Sequence, residues 1–251
     1  MFNEFVRACS AFGLCLIMGW TAPPAMAGVT AEHTRVIFPA GNREVTLRLA
    51  NLNTYPVLVQ TWIDDGALDS TPDKAVSAMM TLPPVFRLAP TEHRTLRLLF
   101  TGGTLPADRE TLFWLNIHEI PPSDASKGLP PDQQRLVVTM HTQMKVLYRP
   151  GHLPYAEEEA AAKLIFTVVQ GANGQMLRAE NPTPYYMTLG ELQIDAGGKR
   201  LAVKGDMLAP YDHLDLPLLA GNVSLPGSGA RLRFSWIDDD GNPQDAEASL
   251  H

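Results

Sequence analysis

Two immunoglobulin-like β-sandwiches, in an all-β chain, are what this sequence predicts. Three observations carry the prediction. Short segments alternate apolar and polar residues at period two, turn residues separate them at close intervals, and no long amphipathic helical pattern occurs.

Residues 1–27 stand apart from that pattern and read as a cleaved secretory signal. Arg7 lies near the start, an apolar stretch runs from Ala11 to Trp20, and Ala25-Met26-Ala27 supplies small residues at a cleavage site. Glu4 offsets Arg7, so the charged region is weak. At about 10 residues the apolar stretch falls short of the roughly 20 that span a bilayer, so no membrane insertion is expected. The mature protein is then an exported chain beginning at Gly28.

The strands follow in order. Thr34–Phe38 opens, and Glu44-Val45-Thr46-Leu47-Arg48-Leu49 alternates so that one face is apolar. Val57–Ile63 ends at the turn Asp64-Asp65-Gly66. Val85–Leu88, the alternating Arg94–Phe100 and the richer run Thr111–Ile117, stopped by Pro121-Pro122, come next. With Arg135–Tyr148 these make about seven strands in about 120 residues, the count of one immunoglobulin-like sandwich. A first domain over residues 28–150 closes where Arg149-Pro150-Gly151-His152-Leu153-Pro154 interrupts the pattern. In a second domain, residues 151–251, Ala156–Lys163 suits a helix of one or two turns. Lys163–Gln170, Met176–Ala179, Tyr185–Ile194, Arg200–Lys204 and Arg231–Ile237 read as strands. So short a linker predicts two domains held at a fixed angle.

Composition excludes several functions. Both cysteines, Cys9 and Cys15, lie in the signal, so the mature chain has no thiol chemistry and no disulfide. A net charge of −7 argues against nucleic acid, which needs a basic face. None of the seven histidines sits in a His-Glu-x-x-His pair, and Pro121 excludes a helix after His118-Glu119. Neither a nucleophile elbow nor a phosphate-binding loop occurs. Asp238-Asp239-Asp240-Gly241 suits a turn better than a calcium loop, lacking the later acidic ligand. No enzyme, metal or cofactor is expected.

The segment Gln134–Pro150 is unusual. It reads as a strand of about 15 residues where five or six is typical, with Leu136, Val138 and Met140 on one face. An ordinary long core strand is one reading. The other is an edge strand, since the segment ends its domain, follows the polar loop Ser123–Gln133 and exceeds what its neighbours can pair.

In order and spacing, several motifs resemble the periplasmic pilus (fimbrial) assembly chaperones, across essentially the whole mature chain. They are Thr34-Arg35-Val36-Ile37-Phe38, Leu82-Pro83-Pro84-Val85-Phe86-Arg87-Leu88, Asp108–Ile117, Glu119-Ile120-Pro121-Pro122, Lys145-Val146-Leu147-Tyr148-Arg149-Pro150 and Glu180-Asn181-Pro182-Thr183-Pro184-Tyr185-Tyr186. The resemblance implies two sandwiches in an L or boomerang shape, in the periplasm, with pilus subunits and an outer-membrane usher as partners. It implies that Arg35 and Lys145 anchor the subunit's terminal carboxylate. Leu136, Val138 and Met140 would enter the subunit's open groove by donor-strand complementation, and Glu110, Arg149 and Asp239 would form a buried charge network between the domains. A short loop, three apolar donor residues and no mature cysteine match the family's short-loop branch. Gln143 stands where the family often has a second Lys. An exposed apolar edge also offers the free protein a route to self-association. The competing expectation is an exported β-sandwich binding module with no chaperone role.

Overall fold

A computed structural model describes residues 28–67, 69–122, 138–171, 174–196, 199–218 and 230–251. The signal, the loop Ser123–Gln133 and Leu136 lie outside the described residues.

The first sandwich holds β1 (Val29–Ala31), β2 (Arg35–Pro39), β3 (Glu44–Asn51), β4 (Val57–Asp64), β5 (Met79–Leu82), β6 (Val85–Leu88), β7 (His93–Phe100), β8 (Thr111–Ile120) and β9 (Met140–Arg149). One sheet runs β1-β3-β7-β5 and the other β2-β9-β8-β4-β6. The alternation seen in the sequence builds the core. Leu47 and Leu49 of β3 and Leu96 and Leu98 of β7 face Val57 and Val59 of β4, Leu115 and Ile117 of β8, and Met144, Val146 and Tyr148 of β9.

The second sandwich holds β10 (Ile165–Gly171), β11 (Gly174–Asn181), β12 (Met187–Ala196), β13 (Lys199–Lys204), β14 (Met207–Leu208), β15 (Asp212–Pro217), β16 (Arg231–Ile237) and β17 (Pro243–Ser249). Its sheets run β10-β11-β15 and β13-β12-β16-β17, with β14 on β12. Phe166, Leu177, Leu192, Ile194 and Phe234 lie at the centre of a separate core. The expected helix at Ala156–Lys163 is two short 3-10 turns, Glu157–Glu159 and Ala161–Lys163.

The long strand is corrected in its extent. β9 starts at Met140, pairs with β8 from Met140 to Tyr148, and leaves Val138 and Thr139 outside the strand. Its length of 10 residues equals that of β8, so it does not outrun its neighbour. Nor is β9 a simple edge. β2 covers it, in parallel, from Lys145 to Arg149. Among the described residues nothing pairs with Met140–Met144 on that side.

Each sandwich carries the same buried corner. In Asn51-Leu52-Asn53-Thr54-Tyr55, the Asn51 amide donates to the carbonyls of Tyr55, Leu88 and Ala89 at 3.0, 3.1 and 3.1 Å, and its oxygen accepts from the Asn53 backbone at 2.9 Å. In Asn181-Pro182-Thr183-Pro184-Tyr185, Asn181 donates to Tyr185, Leu208 and Ala209 and accepts from Thr183. Neither side chain is more than 1 % exposed. Asn51→Ala strands several buried backbone groups at once and is expected to cost about 2–3 kcal/mol in chemical denaturation. A loss below about 1 kcal/mol would show that the corner is dispensable.

Candidate functional site

The parallel register of β2 on β9 sets Arg35 opposite Lys145, so two cations far apart in sequence stand side by side on the sheet's outer face. Both reach across to the second sandwich. Arg35 Nη1 donates to the Ile237 carbonyl at 2.9 Å, and Lys145 Nζ donates to Thr188 Oγ1 at 2.7 Å. Trp114, opposite Lys145 on β8, places its ring 6.0 Å from Nζ.

Among the described residues neither cation is neutralised. Among the described residues no carboxylate lies within ion-pair distance of either, and the buried Nε of Arg35 has no hydrogen-bond partner. Burial holds Arg35 below its ordinary pKa, opposed chiefly by Asp239. Burial, then the adjacent Arg35 charge, pushes Lys145 down to about 8, with Asp206 opposing. Two cations taken out of water without a counter-ion are costly for the free protein and suited to an anion.

Beside them, Glu110, Arg149 and Asp239 come together across the domain junction. Arg149 Nε donates to Glu110 Oε1 at 2.7 Å, and its two terminal nitrogens grip Asp239 at 2.5 and 2.7 Å. Glu110 also accepts from the Tyr186 backbone at 2.8 Å, and its own N–H donates to the Pro184 carbonyl at 2.9 Å. The Arg149 guanidinium lies 5.1 Å over Tyr185. The cluster is graded and not uniformly buried: side-chain exposure is 0 % for Glu110, 19 % for Arg149 and 34 % for Asp239. Burial works against the Arg149 charge but bonding to Asp239, with the Glu110 charge, lifts its pKa beyond the usual guanidinium value; burial pushes Glu110 up in spite of Arg149. Desolvation therefore outweighs attraction at Glu110.

Asp239 belongs to the acidic turn. Gly241, at φ +87°, donates to the Asp238 carbonyl, and the place a Cβ would take there is filled by the Thr34 hydroxyl. The turn thus packs against the residue before Arg35, which is a reason for glycine. Glu157 was not singled out from sequence, where it was only part of the helical stretch Ala156–Lys163. It is buried beside this cluster, and burial, then Asp239, pushes it up to about 8.

Val138 and Met140 are 61 % and 53 % exposed, although they continue the alternation that buries Met144, Val146 and Tyr148. Large apolar side chains thus stand in water next to an unpaired length of strand, about five residues from the two cations.

Fold and site define a class: a two-sandwich binding protein with a cationic interdomain cleft and an apolar strand edge. Residues 28–154 match the family described as pili and flagellar-assembly chaperone, PapD N-terminal domain, and residues 159–248 match pili assembly chaperone PapD, C-terminal domain. The chain is 36 % identical over 235 residues to the chaperone protein FimB/FhaD of Bordetella pertussis, covering 91 % of each. It is 32 % identical over 228 residues to the probable fimbrial chaperone YadV of Escherichia coli, covering 90 % of this chain and 91 % of that one. The crystal structure of YadV superposes with a TM-score of 0.74 at 30 % identity over 88 % of this chain and 99 % of that one. The Salmonella enterica SafB chaperone in complex with the SafA pilin gives 0.70 at 30 % identity, over 91 % of this chain and 99 % of the matched one. The chain belongs to the PapD family of pilus-assembly chaperones, whose members are chaperones and not enzymes.

Proposed function

We propose that this protein is a periplasmic chaperone that captures pilus subunits by donor-strand complementation and passes them to an outer-membrane usher. One observation carries the reading: buried Arg35 and half-buried Lys145 stand side by side, without a counter-ion among the described residues, at the covered end of a strand whose other end is open and apolar. A subunit's terminal carboxylate supplies the missing charge and sets register. Its preceding residues pair along the free edge of β9. About five residues on, roughly 17 Å at a strand's rise, Met140 and then Val138 and Leu136 enter the groove left by the subunit's missing strand. Strand donation from chaperone to pilin is an established form of β-strand addition. Three large side chains at about 1.5–3 kcal/mol each give several kcal/mol before ordering costs.

Glu110, Arg149 and Asp239 have the role of holding the cleft at its working angle. Release needs no nucleotide, because another donor strand can displace β9. The SafB chaperone, solved in complex with a pilin, is a relative that supports subunit binding.

The test is Arg35→Ala and Lys145→Ala, each co-expressed with a pilin of the same gene cluster. Both variants should fold and neither should recover the pilin from the periplasm. Recovery at wild-type yield from both would remove the anchor and leave the plain binding module.

A further inference from the structure

A second buried group organises the same strand. Trp62 pairs with Asn116, Asn116 with Gln143, Asp64 with Trp114 and Trp114 with Lys145, so all share the sheet face that carries the anchor cations. At its centre is Asp64, 2 % exposed and, among the described residues, bonded to no cation. Its carboxylate accepts from the Gly66 backbone at 2.7 Å, from Trp62 Nε1 at 3.0 Å and from Asn116 Nδ2 at 2.7 Å.

That last bond sets a chain of consequences. A carboxylate only accepts, so it holds the Asn116 amide with its NH2 toward Asp64 and its oxygen toward β9. The oxygen then accepts from Gln143 Nε2 at 3.0 Å and meets His141 Nε2 at 2.8 Å. With an acceptor opposite, Nε2 of His141 must carry the proton, and in the neutral ring Nδ1 keeps a lone pair. The ring lies 5.2 Å from that of Trp62 and 6.0 Å from that of His118, which restricts its rotation. His141 and Gln143 lie between Met140 and Lys145, on the stretch that β2 does not cover.

We propose that Asp64, acting through Asn116, is a positioning group for subunit capture: it clamps His141 and Gln143 and holds His141 Nδ1 as a hydrogen-bond acceptor toward the subunit's terminal strand. The inference rests on the donor-strand reading. Its physical content is pre-organisation, because two side chains that binding would otherwise have to order are ordered beforehand. Burial, with the neighbouring His118, lowers the His141 pKa, which favours the neutral ring.

The probe is the pilin of the same gene cluster, purified as its complex with the full mature chaperone. Asp64→Asn should shorten the dissociation half-time about tenfold, the scale of two ordered side chains. In the free protein, nitrogen NMR should find His141 as the Nε2–H tautomer in the wild type and as a mixture in Asp64→Asn. His141→Ala with Gln143→Ala should lose the same factor, and adding Asp64→Asn to that pair should change nothing more. An unchanged half-time in Asp64→Asn, or its full effect persisting in the paired background, would reduce Asp64 to a residue of the fold. Should Asp64→Asn not fold, the paired variant, altered only at an exposed and a half-buried position, carries the test, and wild-type dissociation overturns the inference. Lys145→Ala separates the two readings. If it retains the pilin, the anchor fails; if it loses the pilin while Asp64→Asn does not, only the positioning role fails.

Discussion

Lys145→Met is expected to give a free protein at least as stable as the wild type near neutral pH and unable to hold a subunit. In the folded state the Lys145 pKa falls from 10.5 to about 8, mainly through burial. Below about 8 the folded and unfolded chains are both protonated, so the desolvation penalty is fully present. As pH rises from about 8 toward 10.5 the unfolded chain binds the extra proton, and wild-type stability rises with pH. Met removes a penalty of about 1–3 kcal/mol and forfeits one hydrogen bond to Thr188, about 1 kcal/mol, leaving a net gain of about 0–2 kcal/mol. Capture should fail all the same, since losing a charge-assisted pair to the carboxylate costs about 1.5–3 kcal/mol, roughly ten- to 150-fold. A bound carboxylate favours the ammonium, so wild-type affinity should weaken as pH climbs past about 8. Urea denaturation at pH 7 and 9.5, with pilin recovery alongside, checks both halves. A Met variant more than about 1 kcal/mol less stable than wild type at pH 7 would mean that Lys145 supports the fold instead of taxing it.

What could be read in advance depended on where each signal lies. β16 was read to the residue because Leu232, Phe234 and Trp236 alternate inward on a half-buried strand. β17 was missed because Pro243–Ser249 is an edge strand of Gln, Asp, Glu and Ala whose place comes from pairing with β16, which leaves no apolar period to find. β9 was read too long, since alternation continues past Met140 while its pairing stops there. Resemblance, not periodicity, singled out Arg35 and Lys145: a parallel register between distant segments leaves no local trace. Asp64 was read only as the first residue of the turn Asp64-Asp65-Gly66. Its three donors come from one turn and two strands, and only the folded sheet assembles them.

Arg149→Met should be the most destabilising single change at the domain junction. It strips what is, among the described residues, the only cation bonded to Glu110, whose side chain is fully buried, and releases Asp239, which is a third exposed and can turn to water. The asymmetry decides the cost. Asp239 loses little, as exposed pairs do, but Glu110 is left as an unpaired buried charge, for which about 3–5 kcal/mol is typical. Over a chain of this size that is roughly 6–20 °C in Tm if the two sandwiches unfold together. Glu110 already sits above the usual carboxylate range through burial even with Arg149 beside it, and without Arg149 it rises further. For an acid whose folded pKa is raised, the folded state holds its proton longer than the unfolded one. The variant's deficit should therefore be smallest near pH 4 and grow as pH rises toward the elevated value. Adding Glu110→Gln should recover most of the loss, since an amide can still meet the Tyr186 N–H without carrying charge. Calorimetry of the single and double variants at pH 5 and 7.5 reads this directly. If Arg149→Met costs under about 1 kcal/mol, or Glu110→Gln fails to restore it, the junction is held by the Glu110–Pro184 backbone bond and the bond from the Tyr211 hydroxyl to the Asp108 carbonyl, and not by its charges.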